Sequence, residues 1–191
     1  MINEIEYSKV MKNNPSVVEK RALGKWSRAA RQVIASGVVA VLTAGSAWAQ
    51  VAVSTLAGNS PSIQSGSTDA TGTAASFNSP ARVAVDAAGN IYVADANNHK
   101  IRKVTSAGVV TTLAGSGTAG TANGTGATAS FNFPQGIATD GTNVYVADTF
   151  NHAIRQIVIS TGATTTLAGT VGTFGSANGT GVAAAFNNPL G

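Results

Sequence analysis

From residue 80 onward, apolar and polar positions alternate in short runs with the period of a β-strand, and no helical period competes with it. Arg82-Val-Ala-Val-Asp86, Ile91-Tyr-Val-Ala-Asp95, Ile101-Arg-Lys-Val104 and Val109-Val-Thr-Thr-Leu113 are rich in Val, Ile, Thr and Tyr, residue types that suit a pleated surface. Turn residues separate them: Ala88-Gly89-Asn90, Ala96-Asn97-Asn98-His99 and Ser106-Ala107-Gly108. Connections this short, with Gly and Asn able to take positive φ, join consecutive antiparallel strands. The pattern predicts a four-stranded meander.

The same pattern is then written a second time. Ile91-Tyr-Val-Ala-Asp-Ala-Asn-Asn-His-Lys-Ile-Arg102 returns as Val144-Tyr-Val-Ala-Asp-Thr-Phe-Asn-His-Ala-Ile-Arg155. Thr-Leu-Ala-Gly stands at 55–58, 112–115 and 166–169, and Phe-Asn-x-Pro at 77–80, 131–134 and 186–189, which sets a period of about 55 residues. Four-stranded units repeated at about this spacing are the mark of propeller blades, each burying its faces against its neighbours. The expected fold is therefore all-β: a β-propeller of four-stranded antiparallel blades. Repeat 1 covers about 77–130, repeat 2 about 131–185, and 186–191 begins a third. The extra length falls in Gly/Thr/Ala-rich spacers at 58–76, 115–130 and 169–185, which read as polar connections between blades.

These markers carry a resemblance. Pro-x-x-(Val/Ile)-Ala-x-Asp, Asn-(Ile/Val)-Tyr-Val-Ala-Asp, Asn-His-x-Ile-Arg and Thr-Thr-Leu-Ala-Gly, in that order, resemble the NHL repeat over about residues 55–191, in the longer bacterial form with a Gly-rich insertion. The resemblance implies a propeller used as a binding platform or extracellular scaffold, and less often as an enzyme.

The first 49 residues follow other rules. Lys20, Arg21, Lys25, Arg28 and Arg31 precede an apolar stretch at 33–44, and Ala47-Trp48-Ala49 is a small-x-small cleavage site, the order of a secretory signal peptide cut after Ala49. Its leading region is long, and Met11 is an alternative start. The apolar stretch falls short of the roughly 20 residues that span a bilayer, so no stable membrane span is expected after cleavage. The chain is thus expected to be exported, to a periplasmic or extracellular location, with 50–191 as the folded part.

Export changes the meaning of the charge. The leader holds seven basic and three acidic residues, which accounts for the whole formal charge of +4, and the remainder balances five against five. The alkaline isoelectric point therefore belongs to the leader, and no basic face remains to bind nucleic acid. The chain has no cysteine, which removes disulfide staples, thiolate catalysis and thiolate-bound zinc.

Candidate chemistry lies on the repeated corner: Asp95, His99 and Arg102, with Asp148, His152 and Arg155. Because each recurs in step, the set is read as structural. The aspartates accept hydrogen bonds from the turn that follows and pair with the arginines, while the histidines pack or hydrogen-bond in the corner. No catalytic or cofactor-binding residue is assigned. His99 and His152 are the only candidates for zinc, which in a catalytic site wants three protein ligands. Asp69-Ala-Thr-Gly72, Asn123-Gly-Thr-Gly126 and Asn178-Gly-Thr-Gly181 have the look of calcium loops but supply one carboxylate among them, so they read as turn-rich spacers. No cofactor is expected.

The chain stops at Pro189-Leu-Gly191, where a third blade begins. A ring usually needs about four to eight blades. The expectation is a fragment of a longer product, with self-association into a ring as the alternative for a chain naturally this short. The function expected is an exported, non-catalytic module binding a protein or extracellular ligand. The alternatives are a propeller enzyme holding a metal with histidines from several blades, and an oligomeric sugar-binding propeller.

Overall fold

A computed structural model of the chain describes residues 54–58 and 65–191. The leader, its cleavage site and Met11 lie outside the described residues. Among the described residues nine strands form two antiparallel sheets, and the only helical segments are three-residue 3₁₀ turns. No helix among them is long and apolar enough to cross a membrane.

The first blade is the meander β1 (Pro80–Val85), β2 (Ile91–Asp95), β3 (Lys100–Val104) and β4 (Val110–Ala114), paired in sequence order. The short strand β5 (Gly124–Thr125) follows in the spacer. The second blade is β6 (Pro134–Thr139), β7 (Asn143–Asp148), β8 (Ala153–Val158) and β9 (Ala163–Ala168), with β5 added at its outer edge beside β9. A bridge between Thr71 and Val109 does the same for the first blade. The Gly-rich spacers are thus more than polar connections. Each runs along the outer strand of the next blade and delivers Asp69 or Asn123 to it.

The turns are built by the aspartates that close β1 and β6. Asp86 Oδ1 accepts the amides of Ala88 and Asn90 at 3.0 and 2.9 Å, and its Oδ2 accepts the Tyr92 hydroxyl at 3.0 Å. Asp140 repeats this with the amides of Thr142 and Asn143 at 2.8 and 2.6 Å and the Tyr145 hydroxyl at 2.8 Å. The Asn143 amide, the Tyr145 hydroxyl and the Thr142 amide hold the Asp140 carboxyl well below the usual carboxylate range. Burial, reinforced by the bond to Asp86, pushes the Tyr92 hydroxyl up to about 12.

Alternation predicts Ile101 and Arg102 on opposite faces of β3, and they lie so: Ile101 pairs with Ala94 and Arg102 with Val93 of β2. Both are fully buried because the second blade covers one face and the spacer the other. A bulge lies opposite them in the next strand. Ile101 pairs with Ala114 and Arg102 with Thr112, so Leu113 is the extra residue of β4, and Leu167 plays the same part in β9. Such a bulge sharpens the local twist and re-aims the neighbouring side chains.

The main core lies between the blades. Tyr92, Ala94, Ile101 and Ala114 of the first meet Val144, Val146 and Ile157 of the second, with Ala129 and Phe131 of the spacer sealed between them. A second cluster, Val93, Val104 and Val110 with Ala75, lies on the other face of the first blade beneath Ala57, Ala70 and Phe77. The second blade presents the repeat-equivalents of the sealed face, Tyr145, Ile154, Ala168 and Phe186, only half-buried, and its Leu167 is exposed.

This asymmetry makes Phe131→Ala cost about 3–5 kcal/mol, the loss expected for a sealed aromatic, whereas Phe186→Ala at the half-buried equivalent costs clearly less. Denaturant unfolding of both variants checks it, and equal losses would show that the inter-blade face is not the core. Acid titration tests the turns. Because the folded Asp86 and Asp140 carboxyls sit below their ordinary range, their contribution is complete above the unfolded value of about 4 and is lost as the pH falls below it. Thermal midpoints measured from pH 5 down to pH 2 should therefore fall less steeply in Asp86→Asn/Asp140→Asn than in the parent.

Candidate functional site at the blade corners

Each corner starts where the second strand of a blade ends. Asp95 closes β2, a 3₁₀ turn follows over Ala96–Asn98, and His99 takes the left-handed conformation at φ 52° before β3 begins. Asp148, Thr149–Asn151 and His152 at φ 55° repeat this geometry. The glycine of Thr-Leu-Ala-Gly permits the chain to pass close behind: a Cβ on Gly115 would lie 2.5 Å from the His99 carbonyl, and one on Gly169 2.7 Å from that of His152.

Arg102 is fully buried, and every nitrogen of its guanidinium is used. One terminal nitrogen donates to Asp95 Oδ2 at 2.8 Å and to the Ser76 carbonyl at 3.1 Å. The other donates to the Thr68 carbonyl at 2.9 Å and to Asp69 Oδ1 at 2.6 Å, and Nε reaches Asp69 Oδ1 at 3.1 Å. The group lies over the Phe77 ring, 5.1 Å from its centre. Asp95 is equally committed: its Oδ1 accepts the Asn78 amide at 2.8 Å and its Oδ2 the Asn98 side chain at 2.8 Å.

The second corner copies the first with one change. Arg155 donates to Asp148 Oδ2 at 2.8 Å and to the carbonyls of Ser130 and Ala122 at 3.1 and 2.9 Å, above the Phe131 ring. Asn123 replaces Asp69 and accepts one bond, from the other terminal nitrogen, at 2.8 Å, so Arg155 Nε is buried without a partner. Burial pushes the Asp148 carboxyl up, against the Asn132 amide, the Asn151 side chain and the Arg155 charge that draw it down.

These bonds leave little chemistry to the corner. The arginines are enclosed and face no open channel, and Asp69 is taken by Arg102 and by the Thr112 amide at 2.9 Å, as a strut in place of a calcium ligand. Nδ1 of His99 accepts the Phe133 amide of the next blade at 3.1 Å, and Nδ1 of His152 accepts the Asn188 amide at 3.1 Å. Neither Nδ1 is free for a metal, and no group of three His, Asp or Glu side chains able to hold an ion occurs among the described residues.

What departs from the repeat is more informative. In the first blade the corner carries Ser79 and Asn97, whose side chains bond at 2.9 Å. In the second the same two positions are Phe133 and Phe150, stacked at 5.0 Å between ring centres and 13° between planes. Phe133 holds a φ of 54°, a conformation that Asn accepts readily and a bulky side chain adopts only at a cost. Phe150 is 50% exposed, and Phe174, which meets the His152 ring edge-on, is 69% exposed. Backbone bonds fix the pair: the Phe133 amide is held by His99 and the Phe150 amide by the Asn132 carbonyl at 3.1 Å. Reading the chain for recurring residues passes over all three phenylalanines. The signal that finds them is the mismatch between aligned repeats.

Residues 77–104 match the family model described as NHL repeat. Over 91 residues the chain is 37% identical to NHL repeat-containing protein 2 of Gallus gallus, covering 47% of this chain and 12% of that protein. Over 76 residues it is 42% identical to Protein SUPPRESSOR OF QUENCHING 1, chloroplastic, of Arabidopsis thaliana, covering 39% of this chain and 7% of that protein. The chain thus spans only a small part of the length of either relative. Among solved structures it is similar to a structural genomics protein of unknown function from Bacteroides thetaiotaomicron VPI-5482, at 30% identity and a TM-score of 0.49, covering 53% of this chain and 26% of that one.

The contrast between the corners sets a direct test. Asn123→Asp supplies the carboxylate that Arg155 Nε lacks and should raise stability by about 1 kcal/mol, within the range of hydrogen bonds to charged groups. Asp69→Asn should lower it by a similar amount. Denaturant midpoints measure both, and a loss on Asn123→Asp would contradict the assignment of the strut.

Proposed function

Since the chain is an NHL-repeat protein, we propose that it acts outside the cytoplasm as a non-catalytic binding module, contacting a protein partner through the corner face of its second blade. The observation that carries this reading is the Phe133–Phe150 stack at positions where the sister blade does with Ser79 and Asn97. The fold does not require aromatics there. An exposed Phe150 ring, stacked on a half-buried Phe133 whose backbone is strained, is stabilised when a partner covers it. The stack is pinned by its own backbone bonds, so little conformational freedom is lost on binding. Aromatic anchors of this kind dominate the energetics of protein interfaces.

The non-catalytic part of the reading rests on the corner bonds. Asp95, Arg102, Asp148 and Arg155 are spent on one another and on the backbone, which leaves no acid, base or nucleophile poised together at the corners among the described residues. Export rests on the leader alone, with its basic, apolar and cleavable order and the cut after Ala49.

The test exchanges the stack for the residues of the first blade. In Phe133→Ser/Phe150→Asn the thermal midpoint should stay close to that of the parent, while a partner retained from the exported fraction of the source cells binds at least about tenfold more weakly. Equal retention by both proteins would overturn the proposed contact face. The mass of the exported chain tests the rest: it should begin at Gln50, and a chain held in the cytoplasm at full length would contradict export.

A further inference from the structure

The two histidines stand in one setting twice over. Each occupies the left-handed position of a corner, and each turns Nδ1 toward the backbone amide that opens the next blade, Phe133 for His99 and Asn188 for His152. An N–H donor requires a lone pair on Nδ1, so both rings must be neutral and carry their proton on Nε2. Histidine is the side chain whose ordinary titration falls between about pH 5 and 8. Once protonated, Nδ1 becomes a donor facing a donor, and the bond is replaced by repulsion.

The surroundings offer the imidazolium nothing in return. On its own corner His99 has Asp95, enclosed by the Asn78 amide, Asn98 and Arg102, and Lys100, whose ammonium donates to Ser67 Oγ at 2.6 Å. The segments packed against it, 131–134 and Gly115–Gly117, hold no titratable residue. His152 has Asp148 and Arg155 on its own side, bound to each other, and the facing segments 169–174 and 186–188 are again without titratable groups. A charged ring at either corner thus loses its bond and meets no free carboxylate among the described residues.

We propose that His99 and His152 are proton-operated clasps between successive blades, closed when the imidazole is neutral and released when it is protonated. Release at His99 frees the Phe133 amide, one of the bonds that pin the Phe133–Phe150 stack, and loosens the aromatic face as the ring is protonated. That last consequence rests on the binding reading above, whereas the clasp itself does not.

The experiment therefore reads the clasp without a ligand. In the full chain labelled with ¹⁵N, the ring signals of His99 and His152 and the exchange protection of the Phe133 and Asn188 amides are followed from pH 8 to pH 5. The expected result is a neutral ring with unprotonated Nδ1 at pH 8, and a drop in both protection factors on the order of tenfold, in step with ring protonation. His99→Asn/His152→Asn provides the control: Asn tolerates the left-handed backbone, places an acceptor near the position of Nδ1 and does not titrate. Its two amides should show no such drop. Amides that stay protected while the parent's rings are charged, or an equal drop in the Asn variant, would overturn the proposal. Failure of the Phe133→Ser/Phe150→Asn binding test with the clasp intact would remove only the proposed contact face.

Discussion

A guanidinium sealed from water is the constraint to which the rest of each blade answers. Enclosing a charge costs several kcal/mol unless its hydrogen bonds are met and a counter-charge stands beside it. Arg102 meets that demand in full, and Arg155 at all but its Nε, by drawing four pieces of chain to one point: the third strand that carries the arginine, the Asp at the end of the second, the serine carbonyl before Phe-Asn-x-Pro, and the spacer running along the outer edge. The aromatic of Phe-Asn-x-Pro covers the group from one side. In a chain without cysteine, this polar knot does the fastening that a disulfide could otherwise do.

Several features follow from the knot. The spacers keep to the outer strand because their carbonyls are needed by the arginine. Fixing Asp95 and Asp148 also fixes the tight turn after them, which throws the histidine into a left-handed conformation and aims its ring across the blade boundary. The bond to the next blade ties knot to knot, so the corners form a continuous polar seam beside the apolar core of Tyr92, Phe131 and Val146. Along that seam, among the described residues, only the second blade raises a stacked pair of aromatic rings, Phe150 exposed and Phe133 half-buried.

Much of this was legible in the sequence, because a repeat constrains its own interpretation. The recurrence of Tyr-Val-Ala-Asp and Asn-His-x-Ile-Arg pointed to antiparallel blades and to an Asp and an Arg close enough to pair. What lay hidden had physical causes. Asp69 lies in the low-complexity spacer, 33 residues before Arg102, a separation at which neither propensity nor alternation gives a signal. Both faces of the first blade are covered, so Ile101 and Arg102 are both interior although they point opposite ways, and alternation alone does not distinguish such a strand from one with a wet face. The histidine bond is made to a backbone amide, which leaves no trace in the identity of the partner: Phe133 and Asn188 share nothing but their place. The aromatic stack went unread because attention to recurrence discards what differs.

The buried Asp–Arg pair, and not propensity or spacer composition, holds a blade together. A double-mutant cycle on Asp148→Leu and Arg155→Met, followed by denaturant unfolding, tests it most directly. Each single change should cost about 3–5 kcal/mol by stranding a buried charge, and the double variant should cost clearly less than their sum, with a coupling of at least about 1 kcal/mol. Single losses below about 1 kcal/mol that simply add would contradict the account.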